Sequence, residues 1–200
     1  CQLVNIVGKT KFELIGGTLS ERFVERVVYI SGQYQSKKFK CARFRFDGDQ
    51  GGVNVFNSGK AVSIACNTLN RALLVFRPVS KLIQDYYGVE IAPTNFYISN
   101  LVASGGFGAT INLEMLASDH ATLIDHDDEI FPGARVKLDP GTVEIFKSGK
   151  FVITGAQTIE GIAQTLVKAI ELVEPYKGEE SSREILFDRE VSYAFPSSTI

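Results

Sequence analysis

The most constraining feature of this chain is a short stretch that occurs twice, as VNVFNSGKAVSIACN at residues 53–67 and as VEIFKSGKFVITGAQ at residues 143–157. In each copy, alternating apolar residues lead up to Phe-x-Ser-Gly-Lys and resume after it, which predicts a β-hairpin that turns at Ser-Gly. The two copies lie 90 residues apart. A hairpin repeated in this way predicts an internal duplication.

Other features recur at nearly the same offset. The tripeptide NIV at residues 5–7 is echoed by NLV at residues 100–102, and Phe39 is echoed by Phe131. In each half the hairpin is followed by a segment with helical apolar spacing. Each half is therefore predicted to run strand, helix, three strands, helix. We divide the chain into a first repeat at 1–90, a second repeat at 91–176 and a C-terminal tail at 177–200.

The helices are predicted from apolar spacing and from their end signals. Thr18 and Glu21 have capping-box spacing and predict a helix over 19–30. A second helix is predicted over 68–86, with a kink or break at Pro78. A final helix is expected to stop at Pro175 and to bury one face. The apolar residues assigned to that face are Ile159, Ile162, Leu166, Ile170 and Val173.

Composition and charge narrow the possible functions. With 44% hydrophobic residues and no apolar run of membrane-spanning length, the chain is predicted to be soluble and globular. Its net charge of −2 argues against a generic nucleic-acid binder. However, residues 1–90 carry a balance of +6 and residues 91–200 a balance of −8. The first half could face phosphates, whereas the second suits basic protein partners.

Catalytic and metal sites find little support in the sequence. The SGK turns lack the spaced Gly and the following Ser or Thr of a phosphate-binding loop. His120 and His126, six residues apart, fit neither a helical ligand pair nor a zinc pattern, so the acidic loop at 125–129 is interpreted as solvated. The three cysteines lack paired metal spacing and favour reduced thiols inside the cell. No catalytic residue, metal, cofactor or small-molecule substrate is predicted.

The element order, the period and the F-x-SGK hairpin resemble the core domain of the TATA-box-binding protein family. The likeness is strongest over INLEMLASDH, FPGARVKLDP and IFKSGKFVITGA, and it extends loosely over residues 3–175. The resemblance implies an α+β fold in which two pseudo-symmetric repeats form one saddle, a curved antiparallel sheet with helices on its convex face. Its concave face would press on the minor groove of double-stranded promoter DNA.

The resemblance also implies roles for individual residues. Wedges between base steps match Phe39, Phe56, Phe131 and Phe146. The alternative is that all four are core phenylalanines, but Phe39 follows two lysines and Phe131 follows the acidic loop, which is unusual for core. Asn5 and Asn100 match the central hydrogen-bonding pair. The remaining matches are floor residues (Val7, Val62, Val102, Val152 and Thr154) and basic residues near phosphates (Arg45, Lys60, Lys137 and Lys150).

The chain also departs from the family pattern. Ile64 replaces Thr, Asn67 and Gln157 replace Lys, Asp47 and Gln50 replace the usual Arg, and Asn54 and Glu144 replace the usual Leu. Fewer phosphate contacts predict weaker and less salt-sensitive DNA binding. By strand alternation Glu144 shares the face of Phe146. A carboxylate there predicts a greater tolerance of G·C pairs near that wedge, because guanine adds an amino donor to the minor groove.

The function implied by this resemblance is that of a transcription initiation factor that bends promoter DNA and recruits basal factors in the nucleus. The acidic loop would dock a TFIIB-type factor, and Asp127, Glu129 and Ile130 match its contact residues. The alternative is a protein-interaction scaffold that keeps the saddle but has lost useful DNA affinity. An enzyme ranks third. These alternatives make different predictions for binding to duplex DNA.

Overall fold

A computed structural model describes residues 1–13, 32–34, 41–46, 51–127 and 129–180 of the chain. Several predictions lie outside these residues: the helix over 19–30, the first wedge at Phe39, the departures at Asp47 and Gln50, and most of the tail. The division into two repeats and a tail also stays a prediction.

The described residues form twelve strands, of which β2, β7, β8 and β12 were not predicted, and four α-helices. The strands are β1 (Gln2–Phe12), β2 (Gly32–Tyr34), β3 (Cys41–Arg45), β4 (Gly52–Phe56), β5 (Lys60–Ile64), β6 (Pro93–Gly106), β7 (Ala109–Ile111), β8 (Ile124–Asp125), β9 (Gly133–Leu138), β10 (Gly141–Phe146), β11 (Lys150–Ala156) and β12 (Lys177–Glu180). The helices are α1 (Leu69–Leu74), α2 (Phe76–Tyr87), α3 (Leu113–Asp119) and α4 (Ile159–Val173), and a 3₁₀ turn follows at Glu174–Tyr176.

One large antiparallel sheet carries ten of the described strands in the order β2-β3-β4-β5-β1-β6-β11-β10-β9-β8. The order is nearly symmetric, because β1 and β6 pair at the centre and on each side of them lie a hairpin and then two further strands. Strand β12 pairs with β7 in a separate two-stranded sheet. This arrangement confirms the predicted α+β saddle, in which one curved antiparallel sheet is backed by helices.

Both predicted hairpins are present and turn at the Ser-Gly pairs. Gly59 and Gly149 have φ values of 79° and 77°, a conformation that glycine adopts without steric cost. Their amides donate to the carbonyls of Phe56 and Phe146, at 2.9 and 2.8 Å. The connection from β9 to β10 is a two-residue turn at Asp139 and Pro140, tighter than the one between β3 and β4, as the spacing predicted.

The core lies on the face of the sheet that the helices cover. Alternate residues of β10 and β11 point to it and are fully buried, among them Val143, Ile145 and Ile153. Helix α4 packs closely against this face, since a Cβ on Gly141 would lie 2.7 Å from Oγ1 of Thr165. The opposite face, which we call the open face, carries half-buried and exposed side chains.

Two helix predictions need correction. The predicted helix over 68–86 is two helices, and the break falls at Val75 rather than at Pro78. Proline has no amide hydrogen and clashes with the carbonyl four residues earlier, so helix α2 restarts at Phe76, which leaves Pro78 in its first turn. Leu69 and Leu73 on α1 are 49% and 46% exposed, whereas Phe76, Val79 and Ile83 on α2 are buried.

Helix α4 ends before Pro175 as predicted, but its buried face matches the predicted one only in part. Ile159 and Ile170 are 43% and 42% exposed, and Leu166 is only partly buried. The buried positions are Gly161, Ile162, Thr165, Ala169 and Val173. Gly161, Thr165 and Ala169 are small because the helix lies close to the sheet at this contact. Hydrophobicity alone therefore found Ile162 and Val173 but missed the small residues that share their face.

All three cysteines are free thiols, exposed at Cys1 and buried at Cys41 and Cys66. Burial raises the pKa of the Cys41 and Cys66 thiols. Arg43 opposes the shift at Cys41, and hydrogen bonding to Ser63 and to the backbone of Gly52, followed by the charge of Arg71, opposes it at Cys66. Among the helices of the described residues, none is long and apolar enough to cross a membrane.

Candidate nucleic-acid interface

The centre of the open face is built around the pairing of β1 with β6. Asn5 lies opposite Val102, and Val7 lies opposite Asn100. The two asparagines and two valines are therefore related by the near symmetry of the sheet. All four are half-buried, on strands whose alternate residues are in the core. The structure thus brings together the four central residues that the sequence singled out.

The two central asparagines differ in their hydrogen bonding. The amide of Gly155 donates to Oδ1 of Asn100 at 2.7 Å. The position equivalent to Gly155 in the first repeat is Ala65, which has a φ of 56° although it is not a glycine. Oδ1 of Asn5 is buried, and no group in the described part of the chain donates to it. The sequence gives no sign of this difference.

The other predicted floor residues flank the centre symmetrically. Val62 lies opposite Asn54 on β4, and Val152 lies opposite Glu144 on β10. Thr154 is half-buried on β11, as is Ile64, its counterpart on β5. The middle of the open face is therefore a valine floor with a polar residue on each side.

Phe131 and Phe146 lie together at the edge of the second repeat and are called the wedge pair below. Both are half-buried, and their ring centroids are 5.8 Å apart at an interplanar angle of 60°. Gly133 lies beneath them, opposite Phe146 in the sheet. A Cβ on Gly133 would lie 2.8 Å from Cε1 of Phe131 and 3.1 Å from Cε1 of Phe146. The glycine therefore makes room for both rings.

The first repeat offers Phe56 at the equivalent place. It is half-buried on β4 and lies opposite Cys41, where the second repeat has glycine. The larger residue beneath Phe56 makes this end of the open face different in shape from the wedge pair. Its predicted partner, Phe39, lies outside the described residues.

Basic side chains surround the floor. Arg45, Lys60, Lys137 and Lys150 are all exposed, on residues that alternate with core positions. Sequence analysis missed Lys9 and Lys11, which are exposed on the same face of β1, where Lys11 lies opposite Lys60. The alternation in GKTKF is the signal that could have found them.

The carboxylate of Glu144 is also on the open face, and sequence analysis missed its partner. Arg135 lies directly opposite on β9, and its Nε and Nη2 donate to Oε1 of Glu144 at 3.2 and 2.8 Å. The first repeat has an equivalent contact with a neutral acceptor, since Nε of Arg43 donates to Oδ1 of Asn54 at 3.3 Å. Glu144 thus neutralises a cation that would otherwise face outwards.

The acidic loop forms a compact turn before the wedge pair. The carbonyl of Asp127 accepts hydrogen bonds from the amides of Ile130 and Phe131, at 3.1 and 2.8 Å. The carboxylate of Asp127 accepts one from the amide of Glu129 at 3.1 Å. Ile130 projects from this turn with 82% of its surface exposed. An exposed apolar side chain next to acidic residues is suited to contact another protein.

Within the described residues, no three His, Cys, Asp or Glu side chains are grouped to hold a metal ion. His126 instead contacts the carbonyl of Gly133 at 3.3 Å. His120 lies 3.1 Å from the hydroxyl of Tyr176, which donates to Asp119 at 2.9 Å. Burial, with Asp119, raises the pKa of this tyrosine. These contacts join α3 to the turn before β12.

Known proteins share this sequence pattern and this fold. Residues 95–176 match the family model described as transcription factor TFIID, or TATA-binding protein. The chain is 32% identical to the TATA-box-binding protein of Tetrahymena thermophila over 141 residues, which cover 69% of this chain and 56% of that protein. It is also 32% identical to TATA-box-binding protein 2 of Arabidopsis thaliana over 132 residues, 65% of this chain and 66% of that protein. The chain belongs to the TATA-box-binding protein family.

A solved structure agrees with this assignment. The TATA-binding protein of Methanococcus jannaschii superposes with a TM-score of 0.68 at 25% identity, over 87% of this chain and 98% of that one. Against TATA box-binding protein-like 2 of Rattus norvegicus, the identity is 30% over 72% of this chain. The match spans 42% of the length of the rat protein. The family match at 95–176 includes the acidic loop and the wedge pair.

Proposed function

We propose that this protein is a TATA-binding-protein-like transcription initiation factor whose open face binds the minor groove of promoter DNA and bends it. The observation that carries the proposal is the wedge pair. Two large aromatic rings stand half-exposed at the edge of a sheet whose other face holds the core. Apolar side chains in such a place can enter a base step and kink the duplex, which is the mode of this family.

The rest of the open face suits the same ligand. Its valine floor matches the sugar edges and base edges of a widened minor groove, which offers few donors. The two central asparagines lie where amide groups could donate to base acceptors. The exposed lysines and arginines around the floor could reach phosphates and release counterions on binding. The position, polarity and charge of these side chains therefore all favour DNA as the ligand of the open face.

The acidic loop is proposed to recruit a TFIIB-type factor. Asp127 is held by its own turn, which fixes the loop while leaving Ile130 outside. An exposed isoleucine can provide a hydrophobic contact, and the carboxylates that precede it in the chain can orient a basic partner. This function requires no catalysis, and a nuclear location is part of the proposal.

The second candidate is a protein-interaction scaffold that no longer binds DNA usefully. It is favoured by one observation: Glu144 and Arg135 form an ion pair on the open face, which places a carboxylate where bound DNA would bring a high negative potential. Each candidate predicts a different response to duplex DNA.

A binding titration with TATA-containing and scrambled duplexes at several salt concentrations tests the proposal. The initiation factor should bind the TATA duplex more tightly, and its affinity should fall with salt at a slope of about 0.9 per phosphate contact. Equal and weak binding to both duplexes would refute the DNA function and support the scaffold.

Recruitment can be tested separately by reversing two charges, Asp127→Lys with Glu129→Lys. The variant should bind and bend DNA as before but fail to recruit the TFIIB-type factor, because the loop lies beyond the groove contact. Glu160→Lys with Glu171→Lys is the matched control, since both residues are exposed on α4. Recruitment that survives the loop reversal would show that the loop is only solvated surface.

A further inference from the structure

The two repeats hold their central asparagines differently, although the surrounding strands pair in the same way. Ile6 bridges to Cys66 in the first repeat, and Leu101 pairs with Ala156 in the second. Only the second repeat adds the hydrogen bond from Gly155 to Oδ1 of Asn100, at 2.7 Å. Oδ1 of Asn5 is buried and accepts no hydrogen bond from the described part of the chain. The two repeats therefore differ in the hydrogen bonding of the asparagine side chains and not in the pairing of the strands around them.

Rotation about the last side-chain bond of an asparagine exchanges its oxygen and its NH₂ group. For Asn100 this rotation would place NH₂ against the amide of Gly155, so two donors would meet and the hydrogen bond would be lost. Asn100 is thus locked with its acceptor inwards and can offer only a donor to a ligand. Within the described residues no group donates such a bond to Asn5, so its two orientations differ little in internal hydrogen bonding.

We propose that Asn5 reads the minor groove in either sense, donating to the acceptors of an A·T pair or accepting from the 2-amino group of guanine. Asn100 reads only acceptors. The inference rests on the proposed DNA function and adds a specificity to it: the base pair contacted by Asn5 tolerates G·C, and the pair contacted by Asn100 does not. Such a difference would give the pseudo-symmetric saddle a preferred direction on DNA.

The test uses inosine, whose pair with cytosine presents the same minor-groove acceptors as A·T but lacks the 2-amino group. Each of the two central pairs of a TATA duplex is replaced in turn by G·C and by I·C, and the Kd is measured. At the pair contacted by Asn100, G·C should weaken binding by about tenfold or more while I·C binds like A·T. At the pair contacted by Asn5, G·C, I·C and A·T should bind within about threefold of one another, a small part of the usual effect of one base pair.

Two pairs of variants assign the effect. Asn5→Ala should impose the G·C penalty at the tolerant pair, whereas Asn100→Ala should leave that tolerance in place. Asn5→Asp keeps the shape but offers only acceptors, so it should prefer G·C over I·C at the same pair; its unfolding midpoint checks that it folds. Equal G·C penalties at both pairs in the natural protein, or tolerance that survives Asn5→Ala, would overturn the inference while leaving the DNA function standing. Failure to bind any duplex would refute the proposed function and the inference with it.

Discussion

The wedge pair offers the sharpest test of how the open face works. If Phe131 and Phe146 are wedges, replacing either with Ala should remove DNA bending at a small cost in stability. Both rings are half-buried, and no enclosed cavity is left when one of them is removed. The stability lost is then mainly the contact between the two rings, about 0.5–1.5 kcal/mol for an aromatic pair. For a protein of this size that corresponds to about 1–6 °C in Tm.

A buried phenylalanine is the matched control. Phe44 is 1% exposed, so Phe44→Ala should cost about 3–5 kcal/mol, because it leaves a cavity in the core. Denaturant unfolding measures both costs, and energy transfer between dyes at the duplex ends measures bending. The double substitution Phe131→Ala with Phe146→Ala should show a coupling of about 0.5–1.5 kcal/mol between the rings. A loss above about 3 kcal/mol for Phe146→Ala, with bending intact, would show that the pair belongs to the core.

Three further predictions follow from the same surface. Glu144→Leu should free Arg135 for a phosphate. The variant should then bind DNA more tightly, with a salt slope steeper by about 0.9 and with A·T preference restored near the wedge pair. An unchanged salt slope and unchanged base selection would refute this prediction. Ala65→Gly should stabilise the fold by up to about 1 kcal/mol because it removes an alanine with left-handed backbone. Gly155→Ala should destabilise the fold by a similar amount through the same backbone strain, since its new Cβ has room. If denaturant unfolding showed that both variants change the free energy of unfolding in the same direction, it would contradict this. Gly133→Val should displace the wedge rings, lower bending and cost about 1–3 kcal/mol, and undiminished bending would show that the rings do not depend on this glycine.

Much of the fold was predictable because its signals are local. The alternation on either side of each SGK turn set the strand directions, and the positive φ at Gly59 and Gly149 is what such a turn requires. The same alternation put Glu144 on the face of Phe146, since neighbouring residues of a strand point to opposite faces. Repetition of these signals 90 residues later indicated one sheet with two related halves.

Other features depend on how distant helices and strands pack against each other. Helix α4 buries Thr165 and Ala169 instead of Ile159 and Ile170, because its distance from the sheet, and not the hydrophobicity of its stripe, selects the face that fits. Glu144 is paired because the register of β9 against β10 puts Arg135 opposite it.

The difference between Asn5 and Asn100 has a similar origin. Both stand in the same tripeptide pattern, so local sequence treats them alike. Their hydrogen bonding is decided by strand ends 55 or more residues away, where the second repeat has Gly155 and the first has Ala65. Residue spacing within one strand determines which face a side chain points to. The partner that it finds on that face is determined only when distant strands come into register.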